Sequence, residues 1–228
     1  MTLTEQLRTE NDDVFKAIFN HPFVQGIGKG DLPKEALIRY IKADHGYLTA
    51  FLNLYGIAMS KARTREEISF FYKQIDFVLH GEEEPHENFC QVAGVDYESL
   101  QGFPLPPAAD HYVKHMMYHA HTGNMGELFA VLLPCPWTYF ELSKELVEQY
   151  KPTPDHPFYD WITFYANPGV VELEMRQKLD NFARHLQSQE LVYIRNAFRK
   201  SCQLELAFWE MAYTGADWLP TTKEVHIV

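Results

Sequence analysis

Two carboxylates and one cysteine occupy positions where a helical pattern calls for an apolar residue. In three predicted helices apolar residues recur every three or four positions. Asp44, Cys135 and Glu205 each stand at a position where this spacing would place the next apolar residue. An ionised carboxylate is costly to bury without partners, so each must be paired, hydrogen-bonded or exposed to a cavity. One such residue usually belongs to a satisfied core network. Three such polar residues, each on the apolar face of a different predicted helix, favour a functional site, because groups with shifted pKa values are concentrated at such sites.

Cys135 lies between Pro134 and Pro136 in a stretch that otherwise has the pattern of one continuous helix. A proline in a helix interior removes a backbone donor and clashes with the preceding turn, at about 3 kcal/mol, so we expect a kink that frees carbonyls. Most lone cysteines are small buried apolar residues. At a kink, Cys135 is a better nucleophile candidate than Cys90 or Cys202, provided that a positive or hydrogen-bonding neighbour favours its thiolate.

Tyrosines accompany these polar positions. Tyr47 follows Asp44 by one helical step, Tyr139 follows Cys135 by four residues, and Tyr112 lies on the predicted helix before Gly123. The chain holds 13 Tyr, 16 Phe and 4 Trp, which indicates either a large stiff core or a pocket for a flat ring. In the second case the rings would sandwich a planar ligand while the hydroxyls orient the carboxylates.

Histidines are numerous, but their spacing does not predict a metal site. Glu83-x-x-His86 has the spacing of di-iron bundles, which need a second Glu-x-x-His that this sequence lacks. His111, His115 and His119 share a helix face without an HExxH pattern, so we interpret them as solvated. We therefore expect no bound metal.

The elements that position these residues are predicted to be helices, without a convincing strand pattern. Capping boxes begin helices at Thr2-x-x-Glu5, Thr64-x-x-Glu67 and Asn124-x-x-Glu127. Pro33 and Pro168 are typical of a first helical turn, and the glycines of segment 26–30 are interpreted as a loop. The sequence predicts an all-α, single-domain helical bundle over residues 1–219, followed by a C-terminal tail over 220–228.

Charge and cysteine content exclude several classes of protein. The net charge is −11 without a run of basic residues, so nucleic-acid binding is not expected. Three cysteines without CxxC spacing do not suit a disulfide framework. No apolar run approaches the roughly 18–20 residues that span a bilayer, and the start does not resemble a signal peptide. We expect a cytoplasmic protein without membrane association.

Four segments occur together in this chain, in an order that resembles the TenA family, also called thiaminase II. They are KADHGYL (42–48), DHYVKHM (110–116), PCPWTY (134–139) and the stretch 202–205. The similarity runs over roughly residues 7–218 and is to the branch with a catalytic cysteine. It implies a heme-oxygenase-like bundle that assembles as a homotetramer and needs no metal or organic cofactor.

The resemblance also implies an activity in thiamin salvage. Members hydrolyse 4-amino-5-aminomethyl-2-methylpyrimidine to the 5-hydroxymethyl pyrimidine and ammonia, and cleave thiamin into its pyrimidine and thiazole halves. In this chain Cys135 would add to the pyrimidine ring, Glu205 would protonate the departing amine, and Asp44 would hold the aminopyrimidine edge. Tyr47, Tyr112 and Tyr139 would position the ring and the catalytic groups.

A further family position, a tyrosine after a Trp-Ile pair, matches Tyr165 in Trp161-Ile162-x-x-Tyr165. The segment 166–169 that follows, Ala-Asn-Pro-Gly, departs from the family's usual serine and regular helix start. This departure leaves the preferred substrate open between thiamin, the aminomethyl pyrimidine and its formylated form.

Two other functions remain open from the sequence. The first is a non-catalytic regulatory or interaction protein of the same fold, which the acidic charge and the complete set of catalytic groups disfavour. The second is a heme- or di-iron-binding relative. His21 precedes Pro22 and is interpreted as a helix terminus rather than as a heme ligand.

Overall fold

The computed structural model describes residues 1–80, 83–167 and 170–220. Within these residues the regular structure is helical, with one 3₁₀ turn at Glu98–Leu100 and no strand. The helices are α1 (Leu3–Glu10), α2 (Asp12–Phe19), α3 (Pro22–Lys29), α4 (Lys34–Lys61), α5 (Arg65–His80), α6 (Glu83–Ala93), α7 (Pro107–Thr122), α8 (Met125–Leu132), α9 (Pro134–Tyr150), α10 (Tyr159–Ala166), α11 (Val170–Ala183) and α12 (Ser188–Thr214). The all-α prediction is confirmed.

The three predicted capping boxes are present. The Thr2 hydroxyl accepts a hydrogen bond from the Glu5 amide at 3.3 Å, and the Glu5 carboxylate accepts one from the Thr2 amide at 2.8 Å. The same reciprocal bonds begin α5 and α8. Each box satisfies amide groups that a helix N-terminus otherwise leaves without a partner, which is why these starts could be predicted.

The predicted loop at residues 26–30 is wrong. Gly26 and Gly28 lie inside α3, and the helix ends at Gly30, whose φ of 75° is the left-handed conformation that favours glycine. A β-carbon on Gly28 would lie 2.3 Å from the Tyr150 ring. Glycine therefore permits the close approach of α3 to α9, and does not break the helix.

The predicted kink at Pro134 is a break between two helices. α8 ends at Leu132, and α9 begins at Pro134, where the missing amide proton costs nothing because the first helical turn has no intrahelical acceptor for it. This places Cys135 in the first turn of α9, a location that the sequence did not predict. The helix that Pro33 is predicted to open spans Lys34–Lys61, with Pro33 at its cap.

The two longest helices, α4 and α12, pack against each other and provide most of the framework. α5, α6 and α7 pack on α4, while α2, α7, α8 and α9 pack on α12. Aromatic side chains fill the space between them, including the fully buried Tyr40, Trp161 and Trp209. No helix among the described residues has the length and apolar character needed to cross a bilayer. Pro168 and residues 221–228 of the predicted tail lie outside the described residues.

Candidate active site

A cavity of about 750 Å³ opens between α4, α5, α9 and α10. Five of the seven predicted site residues line it, namely Asp44, Tyr47, Cys135, Tyr139 and Tyr165. Tyr112 and Glu205 are buried next to this group but are not part of the cavity lining. The structure thus brings together residues from five helices that are far apart in the sequence.

Cys135 is the accessible cysteine among the three. Its side chain is half-buried, lines the cavity and lies in the first turn of the 17-residue helix α9. Burial raises the pKa of Cys90 to about 11 and the pKa of Cys202 well above its usual value, so these two thiols stay protonated. Cys135 alone combines exposure to the cavity with a helix N-terminus.

Glu205 lies deep in the protein on α12. The Tyr112 hydroxyl donates a hydrogen bond to its Oε1 at 2.8 Å. The pKa of Glu205 is raised to about 8, because burial, together with the nearby charge of Asp44, raises it by more than the hydrogen bond from Tyr112 lowers it. Glu205 is therefore mainly protonated at neutral pH and has a proton to donate.

Tyr47 and Tyr112 bridge the space between Cys135 and Glu205. Their ring centroids are 5.1 Å apart, and Cys135 and Glu205 are both close enough to influence them electrostatically. Burial, with the charges of Cys135 and Glu205 as further causes, holds the pKa of both phenols well above the usual range. The Tyr47 hydroxyl has no hydrogen bond of normal geometry with a described residue, but it lies close enough to Tyr112 and Glu205 to influence the pKa of both.

Asp44 has a partner that the sequence analysis missed. His86 Nε2 lies 2.7 Å from Asp44 Oδ2, with both side chains buried. His86 Nδ1 lies 3.2 Å from the Tyr97 hydroxyl, which in turn lies 3.4 Å from His45 Nδ1. The buried carboxylate therefore belongs to a chain of polar groups that leads away from the cavity. The sequence indicates His86 only as a possible metal ligand, through the spacing Glu83-x-x-His86.

Tyr40 is a second residue that the sequence analysis missed. Its hydroxyl lies 2.6 Å from the Tyr139 hydroxyl, and Trp209 stacks on its ring at 5.5 Å. Tyr139 in turn contacts Tyr165 edge to face, with ring centroids 4.9 Å apart. Tyr40 precedes Asp44 by four residues and so lies on the same buried stripe, which is the signal that identifies it.

The interpretation of the α7 histidines as solvated is wrong for His115 and His119. His115 Nε2 lies 3.2 Å from the Ala197 carbonyl, and burial lowers the pKa of His115 to about 4. His119 Nδ1 lies 2.9 Å from Glu127. Both are partly buried because α7 packs against α8 and α12. In the described part of the chain, no group of three or more His, Cys, Asp or Glu side chains could hold a metal ion.

Together these groups suit nucleophilic chemistry on a flat, polar ring. Aromatic walls can stack such a ring, a carboxylate can accept hydrogen bonds from its edge, and a thiol at a helix start can add to it. A protonated carboxylic acid nearby can supply a proton to a leaving group.

Comparisons with known proteins show the family and the fold to which this chain is similar. A model of the TENA/THI-4/PQQC family matches residues 9–215. An aminopyrimidine aminohydrolase from Staphylococcus aureus (strain USA300) is 31% identical over 221 residues, which are 96% of each chain. The solved structure of a TenA homologue from P. horikoshii OT3 superposes with a TM-score of 0.82 at 25% identity, over 94% of this chain and 100% of that one. A domain of unknown function with a heme oxygenase-like fold, from Shewanella denitrificans OS217, superposes with a TM-score of 0.65 at 14% identity over 93% of this chain and 91% of that one. The predicted heme-oxygenase-like fold is confirmed.

Proposed function

The chain belongs to the TENA/THI-4/PQQC family and is a hydrolase, and we propose that it hydrolyses aminopyrimidines with Cys135 as its nucleophile. Its proposed substrates are 4-amino-5-aminomethyl-2-methylpyrimidine, which yields the 5-hydroxymethyl pyrimidine and ammonia, and thiamin, which yields a pyrimidine and a thiazole. One observation carries the proposal. An accessible cysteine at a helix start lies in an aromatic cavity, and a buried, protonated Glu205 lies beside that cavity.

The first step is addition of Cys135 to the ring. Its sulfur bonds to C6, the unsubstituted ring carbon next to C5, and the thiol proton passes to ring nitrogen N1. Asp44 accepts hydrogen bonds from the polar edge of the pyrimidine, and His86 holds that carboxylate. Tyr47 and Tyr139, whose side chains line the cavity, orient the thiol and the ring in this proposal.

In the second step the amine departs. The lone pair of the 4-amino group pushes electrons through C4 and C5, the bond from the methylene carbon to nitrogen breaks, and Glu205 protonates the leaving nitrogen. Water then adds to the exocyclic methylene and returns a proton to Glu205. The sulfur leaves C6, recovers the N1 proton and restores the aromatic ring. Dividing one hard displacement into addition and expulsion is the usual benefit of covalent catalysis.

Mass spectrometry of the products tests the proposal. Wild type and Cys135→Ser are incubated with the aminomethyl pyrimidine and, separately, with thiamin, and Cys90→Ser is the matched control. We expect the hydroxymethyl pyrimidine from wild type and from Cys90→Ser. For Cys135→Ser we expect a loss of about 1,000-fold or more, because a serine hydroxyl is a much weaker nucleophile at neutral pH. Absence of product from folded wild type with both compounds would reject the hydrolase function, and an active Cys135→Ser would reject the nucleophile.

Other parts of the sequence prediction stay predictions. The homotetramer, the role in thiamin salvage, the cytoplasmic location and the absence of nucleic-acid binding follow from the family resemblance and the charge pattern. A non-catalytic regulatory role remains the alternative. It would give no reason for an accessible cysteine and a protonated glutamate to lie beside the same cavity.

A further inference from the structure

Each of the three proposed functional side chains has an aromatic residue four positions away on its own helix. The three pairs are Tyr40 with Asp44 on α4, Tyr139 with Cys135 on α9, and Trp209 with Glu205 on α12. Residues four positions apart lie on the same face of an α-helix, about 6 Å apart along its axis. One aromatic ring therefore lies a single helical turn from each side chain that the proposed reaction uses.

The three rings contact one another, and we call them the aromatic triad (Tyr40, Tyr139 and Trp209). Trp209 stacks on Tyr40, with ring centroids 5.5 Å apart and 17° between the planes, and its ring centroid lies 5.2 Å from that of Tyr139. The hydroxyl groups of Tyr40 and Tyr139 are 2.6 Å apart. The triad thereby connects α4, α9 and α12, which are the three helices that carry the functional side chains.

The connection between α4 and α9 depends most on the triad. Both helices pack on α12, but the cavity opens between α4 and α9 and keeps most of their lengths apart. The hydrogen bond between the hydroxyls of Tyr40 and Tyr139 crosses this gap. At 2.6 Å this bond is near the short end of the range for two hydroxyl groups, so it fixes the distance between the two helices at this point.

Trp209 is buried for its ring contacts rather than for a hydrogen bond. Its side chain is fully buried, yet its Nε1 atom has no hydrogen-bond partner in the described part of the chain. A buried indole N–H normally finds an acceptor. Phe23 packs against the rings of both Trp209 and Tyr40, with centroids 5.1 and 5.6 Å away. A phenylalanine would avoid the unpaired N–H, so the indole indicates that the packing here requires the larger ring.

Tyr139 is the member of the triad that lies among the functional side chains. It lines the cavity, and burial holds its pKa well above the usual value. The further causes of this shift are four neighbouring groups, namely Tyr40, Asp44, Glu205 and Cys135. A movement of the Tyr139 ring would therefore change its position relative to both carboxylates and the cysteine.

We propose that Tyr40 and Trp209 are positioning residues, which hold the ring and the hydroxyl of Tyr139 and so fix the spacing of the three functional side chains. The inference rests on the proposed function, because it concerns how accurately the groups of the same reaction are aligned. Trp209 is not part of the cavity lining, so it acts through the other two rings. A misplacement of about 1 Å can slow a reaction by about 100-fold, even when the substituted residue is far from the reacting atoms.

Two variants test the inference, each with a matched control. Tyr40→Phe removes the hydroxyl and keeps the ring, whereas Trp209→Phe makes the ring smaller. Tyr150→Phe is the control for the first, because it removes another hydroxyl bond of 2.6 Å at the far end of α9. Phe71→Leu is the control for the second, because it makes another fully buried and stacked ring smaller. Neither control residue is part of the cavity lining.

The two variants are expected to lower kcat for the aminomethyl pyrimidine by about tenfold or more, because they disturb alignment. The Kd for the hydroxymethyl pyrimidine is expected to change by less than about threefold, and both constants by less than about twofold in the controls. In a Tyr139→Phe background, Tyr40→Phe should lower kcat by less than a further twofold or so, since its hydroxyl acts through that partner. Fully additive losses, or equal losses in the variants and their controls, would overturn the inference.

Alkylation of Cys135 by iodoacetamide distinguishes a failure of this inference from a failure of the proposed function. If wild type hydrolyses neither the aminomethyl pyrimidine nor thiamin, the proposed function fails, but the alkylation rate needs no substrate. At pH 7 we expect Tyr40→Phe and Trp209→Phe to slow the alkylation of Cys135 by about threefold or more, because displaced neighbours favour its thiolate less. Mass spectrometry of the alkylated peptide measures the rate in the variants and the controls. A rate unchanged from wild type in both variants would overturn the inference.

Discussion

A carboxylate that lines the cavity and a second one buried beside it are almost equally buried and differ in their partners. Asp44 is 4% exposed and lies 2.7 Å from an imidazole nitrogen of His86, whereas Glu205 is 3% exposed and accepts a hydrogen bond from the Tyr112 phenol. An imidazole can carry a positive charge beside a carboxylate, but a phenol cannot. Burial without a cationic partner raises the pKa of Glu205 to about 8. We propose that this difference in partner, at equal depth of burial, suits Asp44 to substrate binding and Glu205 to proton transfer.

The comparison is tested most severely by removing one carboxylate at a time. Glu205→Gln keeps the shape but has no acidic proton, so we expect kcat to fall by about 100-fold or more with KM changed by less than about threefold. Asp44→Asn weakens the contact with the ring edge, so we expect KM to rise by about tenfold or more and kcat to fall less. Steady-state kinetics with the aminomethyl pyrimidine measures both. Equal losses in turnover and affinity for Glu205→Gln would make Glu205 mainly a binding group.

The pH dependence of turnover provides the control for this assignment. Glu205 donates its proton only while protonated, so wild-type activity that depends on this acid should fall as the pH rises through about 8. Glu205→Gln should lack that falling limb. Tyr112→Phe removes a hydrogen bond that favours the ionised carboxylate, so it should move the limb to higher pH. If activity falls at the same pH in Tyr112→Phe as in wild type, a group other than Glu205 is responsible for the fall.

Stability gives a second and smaller measure of the same difference. The pKa of Glu205 is about 8 in the folded protein and 4.5 without the fold, so between these pH values the folded state binds more protons. The free energy of unfolding therefore falls as the pH rises through this window, by about 2 kcal/mol between about pH 6 and pH 8 for this group. Glu205→Gln should not show this part of the decline. Urea unfolding at pH 6 and pH 8 measures this decline, with Glu148→Gln as a control that removes an exposed carboxylate. The same decline in wild type, Glu205→Gln and Glu148→Gln would contradict the raised pKa of Glu205.

Local signals explain which parts of the fold could be predicted. A capping box such as Asn124 with Glu127 is complete within four residues, so its hydrogen bonds follow from the sequence alone. Gly28 was misassigned because its role depends on Tyr150, which is far away in the sequence. The break before Cys135 was predicted as a kink, since two prolines disturb a helix in either case, and only the packed structure distinguishes a bend from a new helix start.

Some residues of the candidate site could be predicted from the sequence, and others could not. Asp44 and Glu205 were identified because a carboxylate on an apolar stripe is visible in the sequence, and the structure places both beside Cys135 and its tyrosines. His86 was not identified as the partner of Asp44, because their contact joins two different helices.

The smallest expected effect concerns the contact of His86 with Asp44. In His86→Gln the amide can still donate a hydrogen bond to the carboxylate but cannot become positively charged, so we expect the Kd for the hydroxymethyl pyrimidine to rise by about three- to tenfold. His86→Leu removes the donor and should weaken binding further, because it leaves a buried carboxylate without this partner. Tyr97→Phe keeps His86 on Asp44 and is the matched control, with an expected change below about twofold. Calorimetry and kcat, measured on the same preparations, distinguish the possible roles. A fall in kcat at constant Kd would place His86 in proton transfer, and unchanged binding in both His86 variants would show that other groups hold Asp44.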